Sequence, residues 1–102
     1  MIKRISFSEA KELLDTLPDK VLLDVREEEE YITGHAVNAQ LLPVDELTDE
    51  TALDLIPELD TPVLVYCRSG YRSAVAARKL EDYGYERVYD LGSLIGWPYG
   101  LE

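Results

Sequence analysis

Cysteine is almost absent from the sequence: Cys67 is the only one, so the chain cannot form an internal disulfide. No apolar run approaches the roughly 20 residues that a membrane-spanning helix needs, and no membrane partner is expected. The segment Met1–Ser6 carries positive charge without an apolar stretch behind it, so we expect no signal peptide. Because free thiols persist in reducing compartments, the sequence predicts a cytoplasmic protein.

Basic residues are also scarce, since 10 Lys and Arg stand against 21 Asp and Glu and the formal net charge is −11. The excess of acid lies in residues 1–60, whereas basic and acidic residues balance in 61–102. Nucleic acid is therefore not an expected partner, because its phosphates require a basic face. We interpret the acidic run Glu27–Glu30 as a solvated surface, and we expect any anion to bind in the second half of the chain.

The pattern of apolar residues predicts a single α/β domain over residues 1–102, in which we give Leu101 and Glu102 no weight because they resemble a vector remnant. Short, continuous apolar runs are typical of strands buried on both faces of a parallel sheet. The predicted strands are Lys3–Ile5, Val21–Val25, Ala39–Leu42, Val63–Tyr66 and Arg87–Asp90. The first predicted helix begins at a capping box formed by Ser6–Glu9 and ends at Pro18. Further predicted helical segments are a turn at Glu28–Ile32, one or two short helices within residues 44–59, and a helix at Ser73–Tyr83.

Chemistry is concentrated where the clearest strand meets the helix that follows it, in the loop Cys67-Arg-Ser-Gly-Tyr-Arg72. Ligands of open parallel sheets bind beyond the carboxyl ends of the strands, and helix N-termini favour anions. Such a position, next to Arg68 and Arg72, favours the thiolate form of a cysteine. Gly70 permits a positive φ, so that successive N–H groups can curl around one point, and Ser69 and Ser73 add hydroxyl donors.

A plainer interpretation of the same residues is available. Single cysteines after apolar strands are more often inert buried thiols than nucleophiles. Arg68 and Arg72 could be ordinary surface charges, and Gly70 an ordinary turn residue. The coincidence of these residue types in one loop, at the edge of the sheet where ligands bind, favours a reactive thiol over the plainer interpretation.

Four segments resemble, in the correct order, the successive signatures of the rhodanese domain. They are Val21-Leu-Leu-Asp-Val-Arg26; Glu30-Tyr31 with Gly34-His35; Val65-Tyr-Cys-Arg-Ser-Gly-Tyr-Arg-Ser73; and Gly84 through Trp97. In the last segment Ser93 stands where the family commonly has a second glycine. The resemblance implies a five-stranded parallel sheet with helices on both faces.

The resemblance also implies a function: transfer of sulfane sulfur from thiosulfate or a persulfide to a thiol or to cyanide, through a persulfide on Cys67. The N–H groups of Arg68, Ser69, Gly70, Tyr71, Arg72 and Ser73 would then surround the persulfide, and Arg68 and Arg72 would hold the anionic donor. Asp24, Arg26 and His35 would support the structure, with Asp24 and Arg26 as an ion pair or as caps of backbone groups. The resemblance implies no metal and no cofactor. The partners would be a small sulfur-containing anion, a thiol acceptor and, as an extension, a protein that accepts sulfur.

Two other functions remain open from the sequence. A noncatalytic rhodanese module used for binding is one, although such modules usually lack the cysteine or break the loop, and this chain keeps both. A cysteine-based phosphatase or arsenate reductase is the other. Related phosphatases carry one more residue between the cysteine and the arginine, so the six-residue loop here favours sulfur over phosphorus.

Overall fold

Five parallel strands form one sheet in the computed structural model, which describes residues 1–102. The strands are β1 (Ile2–Arg4), β2 (Val21–Asp24), β3 (Gln40–Leu41), β4 (Val63–Cys67) and β5 (Val88–Ser93). The helices are α1 (Phe7–Thr16), α2 (Glu28–Thr33), α3 (Asp49–Leu55) and α4 (Tyr71–Asp82), with a short 3-10 helix at Val44–Glu46. The strand order is β1-β5-β4-β2-β3, so β4 is the central strand. Because all strands are parallel, their carboxyl ends meet along one edge of the sheet.

Each face of the sheet has its own hydrophobic core. On one face, Val63 and Val65 of β4 pack with residues of α3 and α4 such as Ala52 and Leu80. On the other face, Leu64 of β4 packs with Ala10 of α1, and Tyr31 of α2 packs against the same cluster. Alternating residues of β4 thus point into opposite cores, and all five of its residues are buried. This arrangement confirms the predicted α/β sheet with helices on both faces.

Most helix and strand bounds lie close to those predicted, but β5 continues to Ser93, beyond its predicted end at Asp90. Ser6 and Glu9 form the predicted capping box. The backbone N–H of Ser6 donates to Oε1 of Glu9 at 2.9 Å, and the backbone N–H of Glu9 donates to Oγ of Ser6 at 3.2 Å. Residues 44–59 divide into the 3-10 helix and α3, which begins at a second capping box formed by Thr48 and Thr51. The strand β4 extends to Cys67, and α4 begins at Tyr71, two residues before the predicted start at Ser73. None of the helices is long and apolar enough to cross a membrane.

A register shift in β5 brings its carboxyl end level with that of β4. Val65 pairs with Asp90, but Tyr66 pairs with Gly92, so Leu91 is an extra residue in β5. The N–H of Gly92 donates to Oδ1 of Asp90 at 2.8 Å and stabilises this bulge. As a result Ser93 lies directly beside Cys67.

Candidate active site

The loop Cys67–Arg72 connects the carboxyl end of the central strand to the N-terminus of α4. Gly70 is the N-cap residue of α4 and has φ of +102°, a left-handed conformation that L side chains rarely adopt. The carbonyl of Gly70 accepts hydrogen bonds from the backbone N–H of Ala74 at 3.2 Å and from the Ser73 hydroxyl at 3.1 Å. The loop is therefore fixed onto the first turn of the helix.

The sulfur of Cys67 accepts two backbone hydrogen bonds from this loop and helix. The N–H of Gly70 lies 2.9 Å from Sγ, and the N–H of Ser73 lies 3.3 Å from it. Cys67 has no exposed surface, and its other neighbours belong to the apolar core beneath the sheet edge. Hydrogen bonds from N–H groups at a helix N-terminus stabilise a negatively charged sulfur more than a neutral one.

The side chains of Arg68, Ser69 and Tyr71 are exposed on the outer side of the loop. Tyr71 is 76% exposed, although it is an aromatic residue. The carbonyl of Arg68 accepts a hydrogen bond from the Ser93 hydroxyl, which ties the loop to the end of β5. The backbone N–H of Ile95 in turn donates to Ser93 Oγ at 3.0 Å. The serine that replaces the family's second glycine thus holds the start of the loop.

Arg72 does not extend freely into the space above Cys67, because its guanidinium is paired with Glu30 of α2. Nη1 lies 2.6 Å from Oε1 of Glu30, and Nη2 lies 3.0 Å from Oε2, a two-pronged contact. The hydrogen bond from Arg72 lowers the pKa of Glu30 to about 2. Both side chains are 27% exposed, so the pair lies at the surface of the site. The interpretation of Glu27–Glu30 as a merely solvated surface is therefore wrong for Glu30.

Asp24 and Arg26 lie buried at the carboxyl end of β2, next to β4. Nη2 of Arg26 lies 2.7 Å from Oδ2 of Asp24, and the Arg26 backbone N–H donates to Oδ1 at 2.9 Å. The hydrogen bond to Asp24 raises the pKa of Arg26. Arg26 also donates to the carbonyl of Gly34 at 2.7 Å, which anchors the end of α2.

His35 lies in the turn after α2, and its contacts are with Tyr31 and Glu102. Its ring stacks on Tyr31 with centroids 3.7 Å apart, and Nδ1 lies 2.9 Å from the Tyr31 carbonyl oxygen. The backbone of His35 pairs with that of Glu102, with N···O distances of 3.0 and 2.8 Å. These contacts join the turn to α2 and to Glu102, and the supporting role of His35 stays a prediction.

The sequence interpretation missed the contacts of two residues of this region, Glu30 and Tyr66, although both belong to segments that resemble the family signatures. Glu30 is one of four adjacent glutamates, and the composition of that run does not indicate which of them pairs with the loop. In the sequence, Tyr66 is one more apolar residue of a predicted strand. In the structure, its hydroxyl donates a hydrogen bond to Oδ2 of Asp24 at 2.6 Å. Burial, followed by the bond to Asp24, raises the pKa of Tyr66 well above its usual value.

Comparison with known proteins gives a family for the chain. Residues 6–97 match the model of the rhodanese-like domain. A thiosulfate sulfurtransferase of Coxiella burnetii is 36% identical over 91 residues, which cover 89% of this chain and 81% of that protein. The resemblance noted from four segments is thereby confirmed.

Other curated relatives are larger proteins with a different activity. A tRNA uridine(34) hydroxylase of Protochlamydia amoebophila is 35% identical over 98% of this chain, and one of Erwinia tasmaniensis is 33% identical over 82%. The chain spans 32% and 25% of the length of these two hydroxylases. Since such relatives act on tRNA, the expectation that nucleic acid is not a partner stays a prediction.

Solved structures share the whole fold. A crystal structure of a protein from Anabaena superposes with a TM-score of 0.86 at 26% identity, covering 96% of this chain and 90% of that one. A structure of rhodanese with anions from E. coli gives a TM-score of 0.75 at 29% identity, covering 81% of this chain and 96% of that one.

Proposed function

Since this chain belongs to the rhodanese-like domain family, we propose that it transfers sulfane sulfur from an anionic donor to a thiol or cyanide through a persulfide on Cys67. The observation that carries the proposal is the pair of hydrogen bonds from Gly70 and Ser73 to the sulfur of the only cysteine. An inert core thiol needs no such donors, whereas a sulfur that bears charge during a reaction is stabilised by them.

In the first step the Cys67 thiolate attacks the outer, sulfane sulfur of thiosulfate. A new S–S bond forms to Sγ, the S–S bond of thiosulfate breaks, and its electron pair leaves with sulfite. The cysteine then carries a persulfide, and the total charge of −3 is the same before and after the step. The thiolate is the attacking species in exchange of this kind, and N–H donors to the sulfur stabilise the negative charge that it carries.

In the second step an acceptor nucleophile removes the outer sulfur of the persulfide. Cyanide attacks that sulfur, the S–S bond breaks, thiocyanate leaves and the Cys67 thiolate is restored. A thiol acceptor takes the sulfur in the same way and becomes a persulfide itself. The developing negative charge on Sγ returns to the N–H groups of Gly70 and Ser73, so one set of donors serves both steps.

Access to the sulfur requires motion of the groups around it, because Cys67 has no exposed surface. Arg68, Ser69 and Tyr71 of the loop are exposed, so their side chains can change rotamer. Arg68, which forms no ion pair, is the guanidinium that is free to meet an incoming anion. The backbone donors need not move, because the Ser73 and Ser93 hydroxyls tie the two ends of the loop.

The test is mass spectrometry of the intact protein after incubation with thiosulfate, followed by cyanide. We expect a gain of one sulfur atom, located on the Cys67 peptide, and its loss as thiocyanate on adding cyanide. Cys67→Ser, which keeps the size of the side chain, is expected to fold normally and gain no sulfur. A wild-type protein that folds but gains no sulfur from thiosulfate or from a persulfide would favour the noncatalytic binding module instead.

A further inference from the structure

The contact between Arg72 and Glu30 changes the charge that a donor meets at the loop. Arg72 directs two N–H groups at the two carboxylate oxygens of Glu30, at 2.6 and 3.0 Å. A planar guanidinium paired in this way has its strongest anion-binding edge occupied. The positive charge expected from the second arginine of the loop is thus balanced by a carboxylate in the same place.

Glu30 is held in this position by its own helix as well as by Arg72. Its Oε1 also accepts the backbone N–H of Glu27 at 2.9 Å, as the capping box of α2. The Arg72 bond lowers the pKa of Glu30 to about 2, so the carboxylate is charged at neutral pH. An incoming anion must therefore either displace Glu30 from Arg72 or approach Cys67 beside a guanidinium whose charge Glu30 already balances.

We propose that Glu30 acts through Arg72 as a specificity-determining residue, which disfavours doubly charged donors such as thiosulfate and favours sulfane donors with a single negative charge. The favoured class includes the persulfides of small thiols. The inference rests on the proposed sulfur transfer and names the class of donor for that site. Its physical basis is that the repulsion between Glu30 and a dianion is about twice that for a monoanion in the same position.

Two small donors separate charge from reaction chemistry. Thiosulfate is a dianion, and methanethiosulfonate is a monoanion in which a methyl group replaces one oxyanion. In both reactions the Cys67 thiolate bonds to the terminal sulfur, the donor's S–S bond breaks, and sulfite or methanesulfinate leaves with the electron pair. The ratio of kcat/KM for thiosulfate to kcat/KM for methanethiosulfonate therefore reports how the site treats the extra charge.

The experiment measures this ratio in the wild type and in Glu30→Gln, with cyanide as the acceptor. We expect the ratio to be about fivefold higher in Glu30→Gln than in the wild type, which is the effect of removing one unit charge about 4 Å from the donor in water. The increase should come from a lower KM for thiosulfate. Glu30→Asp keeps the charge, so its ratio should stay close to that of the wild type. Glu29→Gln removes the same charge from an exposed position of α2 and should leave the ratio unchanged.

Each outcome bears on one proposal. If the wild type transfers sulfur but Glu30→Gln leaves the ratio unchanged, or Glu29→Gln raises it equally, the role given to Glu30 is wrong while the sulfurtransferase proposal stands. If the wild type takes sulfur from neither donor, the proposed function itself fails. If Glu30→Gln does not fold, inhibition of sulfur transfer by the wild type tests the inference instead. The monoanion methanesulfonate should inhibit the wild type at least as strongly as the dianion sulfate. About fivefold tighter inhibition by sulfate would overturn the inference.

Discussion

The hydroxyl of Tyr66 donates a 2.6 Å hydrogen bond to Oδ2 of Asp24, and this bond joins β4, the strand that ends at Cys67, to the neighbouring strand β2. The same hydroxyl oxygen accepts the backbone N–H of Ala36 at 3.1 Å. Tyr66 thus links β4, β2 and the turn after α2 at a position where all three are buried. The contact lies one residue from the reacting sulfur but on the opposite face of the sheet.

Tyr66→Phe is expected to lower stability while leaving persulfide formation intact. The variant leaves the Ala36 N–H without its partner and removes one donor from Asp24, which should lower the free energy of unfolding by about 1–3 kcal/mol. Urea denaturation measures the change, with Tyr71→Phe as the control. Because Tyr71 is 76% exposed, that control should stay within about 0.5 kcal/mol of the wild type. Equal stability of the two variants would mean that the Tyr66 network contributes nothing.

Gly70→Ala is expected to slow sulfur transfer by roughly a hundredfold. A Cβ at this position would lie 3.8 Å from the backbone of Gly92, so there is space for it, but φ of +102° strains any L residue. Relief of that strain would move the Gly70 N–H away from Sγ, and displacements of about 1 Å can cost about a hundredfold in rate.

Gly84→Ala provides the matched control for Gly70→Ala. Gly84 has a similar φ of +100° but follows α4 at the end remote from Cys67. It should lose stability to a similar extent and keep its rate, measured as thiocyanate formed per second. Equal loss of rate in both variants would show that strain alone, and not the position of the Gly70 N–H, explains the effect.

The ion pair of Glu30 predicts how stability changes in acid. Arg72 depresses the pKa of Glu30 from 4.5 to about 2 in the folded protein, so Glu30 contributes stability that is fully present above pH 4.5. That contribution should decrease as the pH falls from about 4.5 and disappear below about 2. The difference in free energy of unfolding between the wild type and Glu30→Gln should therefore shrink across this interval. A difference that grows as the pH falls would contradict the assignment.

Loop length predicts discrimination between sulfur and phosphorus. The N–H groups of Gly70 and Ser73 converge on one sulfur atom, so we expect the loop to be too tight for the oxygens of a phosphoryl group. We expect the natural protein to turn over thiosulfate but not p-nitrophenyl phosphate. A variant with one alanine inserted after Ser69 should lose sulfur transfer by about a hundredfold or more. Faster hydrolysis of the aryl phosphate than sulfur transfer by the natural protein would favour the phosphatase interpretation.

Much of the fold could be predicted from local sequence patterns, such as apolar runs and helix caps. Continuous apolar runs such as Val63–Tyr66 are unambiguous, because a strand buried on both faces needs apolar residues at every position. The helix start at Ser6 follows from side chains only three residues apart. Bounds were less accurate where backbone geometry decides: α4 begins at Tyr71 because Gly70 takes a positive φ, which residue type permits but does not require.

The candidate site was predictable in its residues but not in their pairing. The segment from Cys67 to Ser73 can be recognised as a candidate site from its residue types and from its position after a predicted strand. The partner of Arg72 could not be inferred, because Glu30 is 42 residues away in sequence and is one of four adjacent glutamates. Long-range ion pairs depend on how a helix is oriented on the sheet, and this orientation follows from packing that the local sequence does not show.

The complete burial of Cys67 makes the two halves of a catalytic cycle geometrically unequal. A persulfide places its outer sulfur about 2 Å beyond Sγ, and the packed core beneath Cys67 allows it to extend only towards the loop. The donor must therefore bring its sulfur down to a recessed atom, whereas the acceptor meets a sulfur already nearer the rim. Bulk close to the reacting atom should then be penalised more in donors than in acceptors, so a slender donor and a broad acceptor, such as a folded protein, are compatible with one and the same site.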